Sequence, residues 1–159
     1  MDGLLINLRL NNISNVITSP IALGEKKGVD NIIERGGGSR LSNLCPTYID
    51  EIGSKRTHSI NVSTLDRELP QLRHRSLLPQ LKHKSLMIKV DTEGMELPIL
   101  IGSQETLTSN NCYLMIEHHK LTSPELGNID HQISEFLHGL GYSECWKDDD
   151  QQKFAFKNY

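Results

Sequence analysis

The chain is poor in the features that mark special environments. Its three cysteines, Cys45, Cys112 and Cys145, lie far apart with no CxxC pair. An odd, scattered set argues against a disulfide framework and fits a reducing compartment. Zinc needs four convergent ligands and none of the spacings is diagnostic, so no metal is expected. No apolar run approaches the roughly 20 residues needed to span a bilayer, and the first residues lack the charged-then-apolar order of a signal peptide. The reading is a cytoplasmic protein without a membrane span. An excess of either charge is missing too: 17 Lys and Arg against 20 Asp and Glu leave a net −3. That balance argues neither for nor against a nucleic-acid surface, and no local feature calls for one.

What is present is a chain of 159 residues, the size of one domain and long enough to bury a core without staples. Leu4-Leu-Ile-Asn-Leu-Arg-Leu-Asn11 reads as a short, mostly apolar helix packed in a core, broken by Asn11-Asn12. Asn15 to Thr18 and Ile21 to Leu23 read as one strand or two strand pieces ending at Gly24. Residues 25–59 look like an irregular insertion with room for a hairpin, interrupted by Gly36-Gly-Gly-Ser39 and Cys45-Pro46. The glycine run lacks the GxxxxGKS/T and GxGxxG patterns and is no phosphate loop. Ser59 to Leu65 alternates as a half-buried strand, and Leu65 to Leu69 follows as a turn of helix.

Residues 70–87 hold a duplication, Pro70-Gln-Leu-Arg-His-Arg-Ser-Leu-Leu78 followed by Pro79-Gln-Leu-Lys-His-Lys-Ser-Leu-Met87. Two copies do not make a solenoid, so the pair reads as a lengthened surface linker, its basic clusters Arg73-His-Arg75 and Lys82-His-Lys84 being solvated charge or, as the alternative, a contact for an anionic substrate or phosphate. Leu86 to Val90 is a short apolar run of the kind buried on both faces of a parallel sheet, and Asp91 ends it. Met95 to Leu107 reads as a helix with Pro98 near its start. Cys112 to Glu117 is a further strand, and Ile129 to Leu140 an amphipathic helix stopped by Gly141. Tyr142 to Trp146 and Phe154 to Phe156 close the chain as an antiparallel hairpin.

This order argues for an α/β fold with an open, mostly parallel sheet, whose ligands bind outside the carboxyl ends of the strands. Asp91 and Glu117-His118 then face one crevice. A carboxylate at Asp91 suits a cofactor amine, a metal or a proton. Glu93 and Glu96 flank Gly94, either as part of that site or merely favouring a helix N-terminus through its dipole. Neighbouring His118 and His119 point to opposite faces of a strand. One of them is a candidate base near neutral pH, or a hydrogen-bonded structural histidine. His131 and His138 share one side of the last helix and read as exposed.

Ile88-Lys-Val-Asp-Thr-Glu-Gly-Met-Glu-Leu-Pro-Ile-Leu100 resembles the IKxDxEGxExxxL signature of FkbM-type methyltransferases. Asn11, Asn15-Val16, Ala22-Leu23-Gly24, Ser63-Thr-Leu-Asp66, Leu114-Met-Ile-Glu-His118 and Gly141-Tyr142 follow the family's order. The resemblance implies a class I, Rossmann-like methyltransferase fold with S-adenosylmethionine as cofactor. The implied reaction is O-methylation of a sugar or other small hydroxyl or glycan-linked acceptor. Carried over by position, Asp91 lies by methyl donor and acceptor, Ala22 near the adenine, Glu93 at the cofactor crevice and His118 near the substrate.

The same resemblance implies an upstream strand with a DxGxxxG turn and then a strand ending in an acidic residue. Neither is written in these residues. The expectation is therefore a single domain over 1–159, incomplete at its N-terminus, with half of a cofactor site that a homodimer or a complementing chain would complete. A non-catalytic binding or assembly domain on the same fold is the alternative from another class. Metal-assisted hydrolysis through Asp91, Glu93 and His118 is a third.

Overall fold

In a computed structural model, residues 2–35, 55–75, 85–92, 94–117, 129–148 and 153–159 are described. The chain opens with helix α1 (Asp2–Leu10) and a two-residue strand β1 (Ala22–Leu23), then strands β2 (Gly28–Arg35) and β3 (Lys55–Ser63). Helix α2 (Leu65–Arg75) leads to strand β4 (Leu86–Asp91), and the short helices α3 (Glu96–Ile101) and α4 (Gln104–Ser109) lead to strand β5 (Cys112–Glu117). Helix α5 (Ile129–Gly139) and strands β6 (Ser143–Asp148) and β7 (Lys153–Lys157) complete the order.

The strands form two mixed sheets, in place of the one mostly parallel sheet that the alternation of elements predicts. The first has the order β1-β3-β2, with β1 parallel and β2 antiparallel to β3. The second has the order β4-β5-β7-β6, with only the β4/β5 pair parallel. Antiparallel neighbours accept a short link, as between β6 and β7, whereas a parallel pair needs a crossover, here made through α3 and α4. The antiparallel terminal hairpin is present as the sequence predicts.

In the second sheet the pleat separates two faces. Leu86, Ile88 and Val90 of β4, Cys112, Leu114 and Ile116 of β5, and Phe154 and Phe156 of β7 join one apolar cluster. Ile99, Leu100 and Leu107 from α3 and α4, and Ile133 and Leu137 from α5, complete it. The opposite face carries Met87, Lys89 and Asp91. Met87 is 69% exposed, so β4 is buried on one face and not on both as its apolar run predicts. Residues of this type fill a strand buried on two sides only when helices cover both, and among the described residues only one face is covered.

Helix α5 ends as its sequence predicts. Gly141 has φ 85°, and the amides of Gly141 and Tyr142 return to the carbonyls of His138 and Leu137 at 2.9 and 3.0 Å, a left-handed C-terminal cap. Asn12, with φ 54°, does the same for α1, its amide and that of Ile13 reaching back to Arg9 and Leu8. That helix is not packed in a core as predicted, for Leu4, Ile6 and Leu10 are 51, 53 and 75% exposed. Nor does a strand form at 15–18, where Val16 and Ile17 are exposed.

The stretch expected to be an irregular insertion contains, where described, the long antiparallel pairing of β2 with β3 from Gly28↔Val62 to Arg35↔Lys55. The duplicated linker begins as helix, since α2 runs through Pro70 to Arg75. Proline removes one amide from a helix, here the partner of the Asp66 carbonyl, and one residue on, the Gln71 side chain donates to the Arg67 carbonyl at 3.2 Å. Residues 76–84 of the duplication lie outside the described residues, as do Gly36 to Ser39 and Cys45.

The predicted helix Met95 to Leu107 is two helices, divided at Gly102-Ser103. There the chain passes against the first sheet so closely that a Cβ on Gly102 would stand 2.1 Å from the Gly24 carbonyl oxygen. Asp66, on α2, holds the restart. Its carboxylate oxygens accept from the amides of Glu105 at 2.9 Å and Thr106 at 2.6 Å. These are free amides of the first turn of α4, which a capping side chain must satisfy. Ser103, at the formal cap position, makes no capping bond and donates to the Ile99 carbonyl instead.

Candidate functional site

Strands β4 and β5 run parallel in a register that places Asp91 opposite Glu117. Two carboxylates thus end side by side at the C-terminal edge of a parallel pair, where α/β sheets bind ligands. Like charges directly opposite are destabilising, and two lysines offset them. Lys89 shares a face with Asp91 because side chains alternate along a strand. Its ammonium lies 2.6 Å from Asp91 and 3.6 Å from Glu117, and Lys153 lies 3.9 Å from Glu117. The hydrogen bond to Asp91, with the Asp91 and Glu117 charges behind it, holds the Lys89 ammonium above its ordinary pKa of 10.5, partial desolvation opposing. The Asp91 side chain remains 36% exposed and open to an approaching cation.

After Asp91 the chain turns sharply. Gly94 has φ 106°, a left-handed conformation that favours glycine. Glu96, the first residue of α3, is completely buried. Its Oε1 accepts from the Thr92 amide at 3.2 Å, the Thr92 hydroxyl at 3.3 Å and the Gly94 amide at 3.1 Å, and its Oε2 lies 3.0 Å from the Gly94 amide. Of the two readings of Glu96 that the sequence leaves open, the geometry favours neither an outward ligand nor a simple dipole partner. The side chain reaches back into the turn.

Beside the turn lies a cavity of about 290 Å³, bounded by residues 24–30, Val62, Met95 and Pro98. Its wall brings the connection after β1 up to the residues that follow Gly94. Val62, Met95 and Pro98 give it an apolar floor, while Glu25, Lys26, Lys27 and Asp30 charge its rim. Ala22 is half-buried in β1 and pairs with Val62 of the cavity wall. Neither Ala22 nor Asp91 lines the cavity itself. Glu93 and His118 lie outside the described residues, as does His119.

Elsewhere, His131 and His138 are exposed as the helical spacing predicts, and His131 pairs with Glu135 at 3.2 Å. Cys112 is a buried free thiol and Cys145 an exposed one. Among the described residues no three His, Cys, Asp or Glu side chains converge as a metal set, and no helix is long and apolar enough to cross a membrane. The sequence reading passed over Lys89, although period-two spacing from Asp91 carries the signal, and over the cavity. Nothing local in the sequence marks Asp66 as the cap of α4.

The chain is a mixed α/β protein with an exposed carboxylate at the end of a parallel strand, a glycine turn and an apolar cavity beside it. The family described as Methyltransferase FkbM domain matches residues 5–144. The chain belongs to that family, and this supports a methyltransferase function. No curated protein and no solved structure matches it.

Proposed function

We propose that the chain is an S-adenosylmethionine-dependent methyltransferase domain that acts on a hydroxyl group of a sugar or other small or glycan-linked acceptor. The observation that carries this reading is the placement of Asp91. It is an exposed carboxylate at the C-terminal end of a parallel strand, just before a glycine turn, in a chain of the FkbM family. The order β4-β5-β7-β6, with β7 antiparallel, supports one half of a class I methyltransferase-like, Rossmann-like sheet. Free thiols at Cys112 and Cys145 support a cytoplasmic setting.

The residues present suit the cofactor's amino-acid end. Asp91 already holds an ammonium, that of Lys89, and would hold the cofactor amine in its place. Glu93 and Ala22 are assigned to the same crevice, Ala22 on the adenine side. S-adenosylmethionine supplies an electrophilic methyl group on a sulfonium. The protein's share is alignment of the acceptor oxygen for in-line displacement, which supplies most of the rate gain in such transfers. Proton removal from the acceptor hydroxyl falls to His118 or to Asp91.

Calorimetric titration with S-adenosylmethionine or S-adenosylhomocysteine tests the reading. Binding is expected in the wild type and its loss in Asp91→Asn. Heat from neither compound sinks it. The exposed Leu4, Ile6 and Leu10 of α1 favour the second reading, a binding or assembly domain. A concentration-dependent increase in mass with no cofactor heat is its signature, whether from a homodimer or a complementing chain.

A further inference from the structure

We propose that Glu96 is the positioning residue of this site, an internal anion that sets the direction in which the chain leaves β4 and so fixes Asp91. The inference rests on the methyltransferase reading for its function, but not for its geometry.

A carboxylate with no exposure to water is costly unless its oxygens are hydrogen-bonded. Among the described residues the side-chain bonds of Glu96 go to Thr92 and Gly94. The Thr92 amide belongs to the peptide unit that follows Asp91, so holding it fixes the plane of the Asp91–Thr92 peptide. The Gly94 amide lies beyond the bend, at φ 106°. Glu96 therefore grips the turn on both sides of residue 93.

Such converging backbone amides usually form a receptor for an external anion. Here the receptor is filled by the chain's own side chain. The turn therefore offers a ligand no free amides at 92 or 94, and the Asp91 carboxylate is an exposed polar group next to it. A dipole role for Glu96 does not account for this. Helix α3 has six residues, and the side chain points away from that helix toward the strand end.

The test uses the whole chain with Glu96→Gln, which keeps the volume and one acceptor but turns an NH₂ toward the Gly94 amide. Three readouts are taken. Amide hydrogen exchange at Thr92 and Gly94 is expected to rise about 10-fold against Leu114 and Ile116, the scale of one lost charge-assisted hydrogen bond. The Lys89 ammonium titration, followed by NMR, is expected to move down as Asp91 leaves it. S-adenosylhomocysteine affinity is expected to fall about 10-fold, equivalent to one such bond.

A merely structural role lowers the melting temperature while leaving the Lys89 titration and the affinity unchanged, and that result overturns the proposal. If the wild type binds no cofactor, the methyltransferase reading fails, while exchange and the Lys89 titration still decide whether Glu96 positions Asp91. Should Glu96→Gln fail to fold, Thr92→Val removes one donor only. Its expected effect is a two- to threefold loss of affinity with the same downward movement at Lys89, and no movement overturns the proposal.

Discussion

Replacing Asp66 by alanine isolates the contact that joins α2 to the start of α4. Two amides lose their acceptor. That of Glu105 belongs to an exposed residue and can turn to water, so its loss is small. That of Thr106 belongs to a residue only 5% exposed and bonds at 2.6 Å. A buried amide left unpaired costs about 1–3 kcal/mol, and loss of an N-terminal cap about 0.5–2 kcal/mol. These describe the same event, and the overlap places the cost at about 1–2 kcal/mol. For a chain of this length each kcal/mol moves the melting temperature by about 2–4 °C, so a fall of about 2–8 °C is expected. Asp66→Asn keeps one carbonyl acceptor and is expected to lose about half as much. Urea unfolding followed by circular dichroism measures the cost, and amide exchange at Glu105 and Thr106 localises it. An unchanged midpoint, or unchanged protection at those two amides, would refute the capping role.

Gly102→Ala is expected to cost about 2–3 kcal/mol in urea unfolding, at the upper end for overpacking, because the new Cβ meets the Gly24 carbonyl at 2.1 Å and backbone must move; a neutral result would disprove the close approach. Tyr142→Phe is expected to cost about 0.5–1 kcal/mol near neutral pH, since the tyrosine hydroxyl donates to the Leu107 carbonyl at 2.9 Å while Asn158 donates to the same oxygen. Burial, with Cys112 beside it, pushes the Tyr142 phenol well above its ordinary pKa of 10.0. The folded state therefore keeps a proton that the unfolded chain releases. Its stabilising share is whole below pH 10 and is lost as pH rises above that, by up to about 1.4 kcal/mol per pH unit. Stability-pH profiles of the Phe variant should accordingly be flatter above pH 10, and parallel profiles would contradict the burial. Finally, the Lys89 ammonium should titrate above 10.5 and return toward it in Asp91→Asn, whereas an unmoved midpoint would deny their ion pair.

The elements that packing enforces were legible. Ile133 and Leu137 of α5 recur at helical spacing because one face is buried, and Gly141 marks the stop because a left-handed residue is needed there. β5 alternates buried and half-buried residues along its whole length. The elements that backbone pairing or distant contacts enforce were not. β2 and the first half of β3 are joined through main-chain pairing while Val29 stands 70% exposed, so no apolar period betrays them; only the end of β3, from Ser59, showed its alternation. The division between α3 and α4 comes from Gly24 and Asp66, and the Asp66–Thr106 bond spans 40 residues. Mixed sheets follow from which edges meet, which an alternation of helices and strands does not specify. Of the site, Asp91 was readable as a carboxylate ending an apolar strand, while Glu96 was ambiguous because burial and direction have no one-dimensional signature.

β4 stands at the end of the second sheet, and among the described residues no strand pairs with its outer side. A bare strand edge is a template for unwanted association, and proteins commonly guard such edges with lysine. Lys89 sits in the middle of this one. The residue that neutralises Asp91 thus also discourages edge-to-edge stacking of chains, so a change that frees the carboxylate by removing the lysine charge raises the hazard of aggregation in the same stroke.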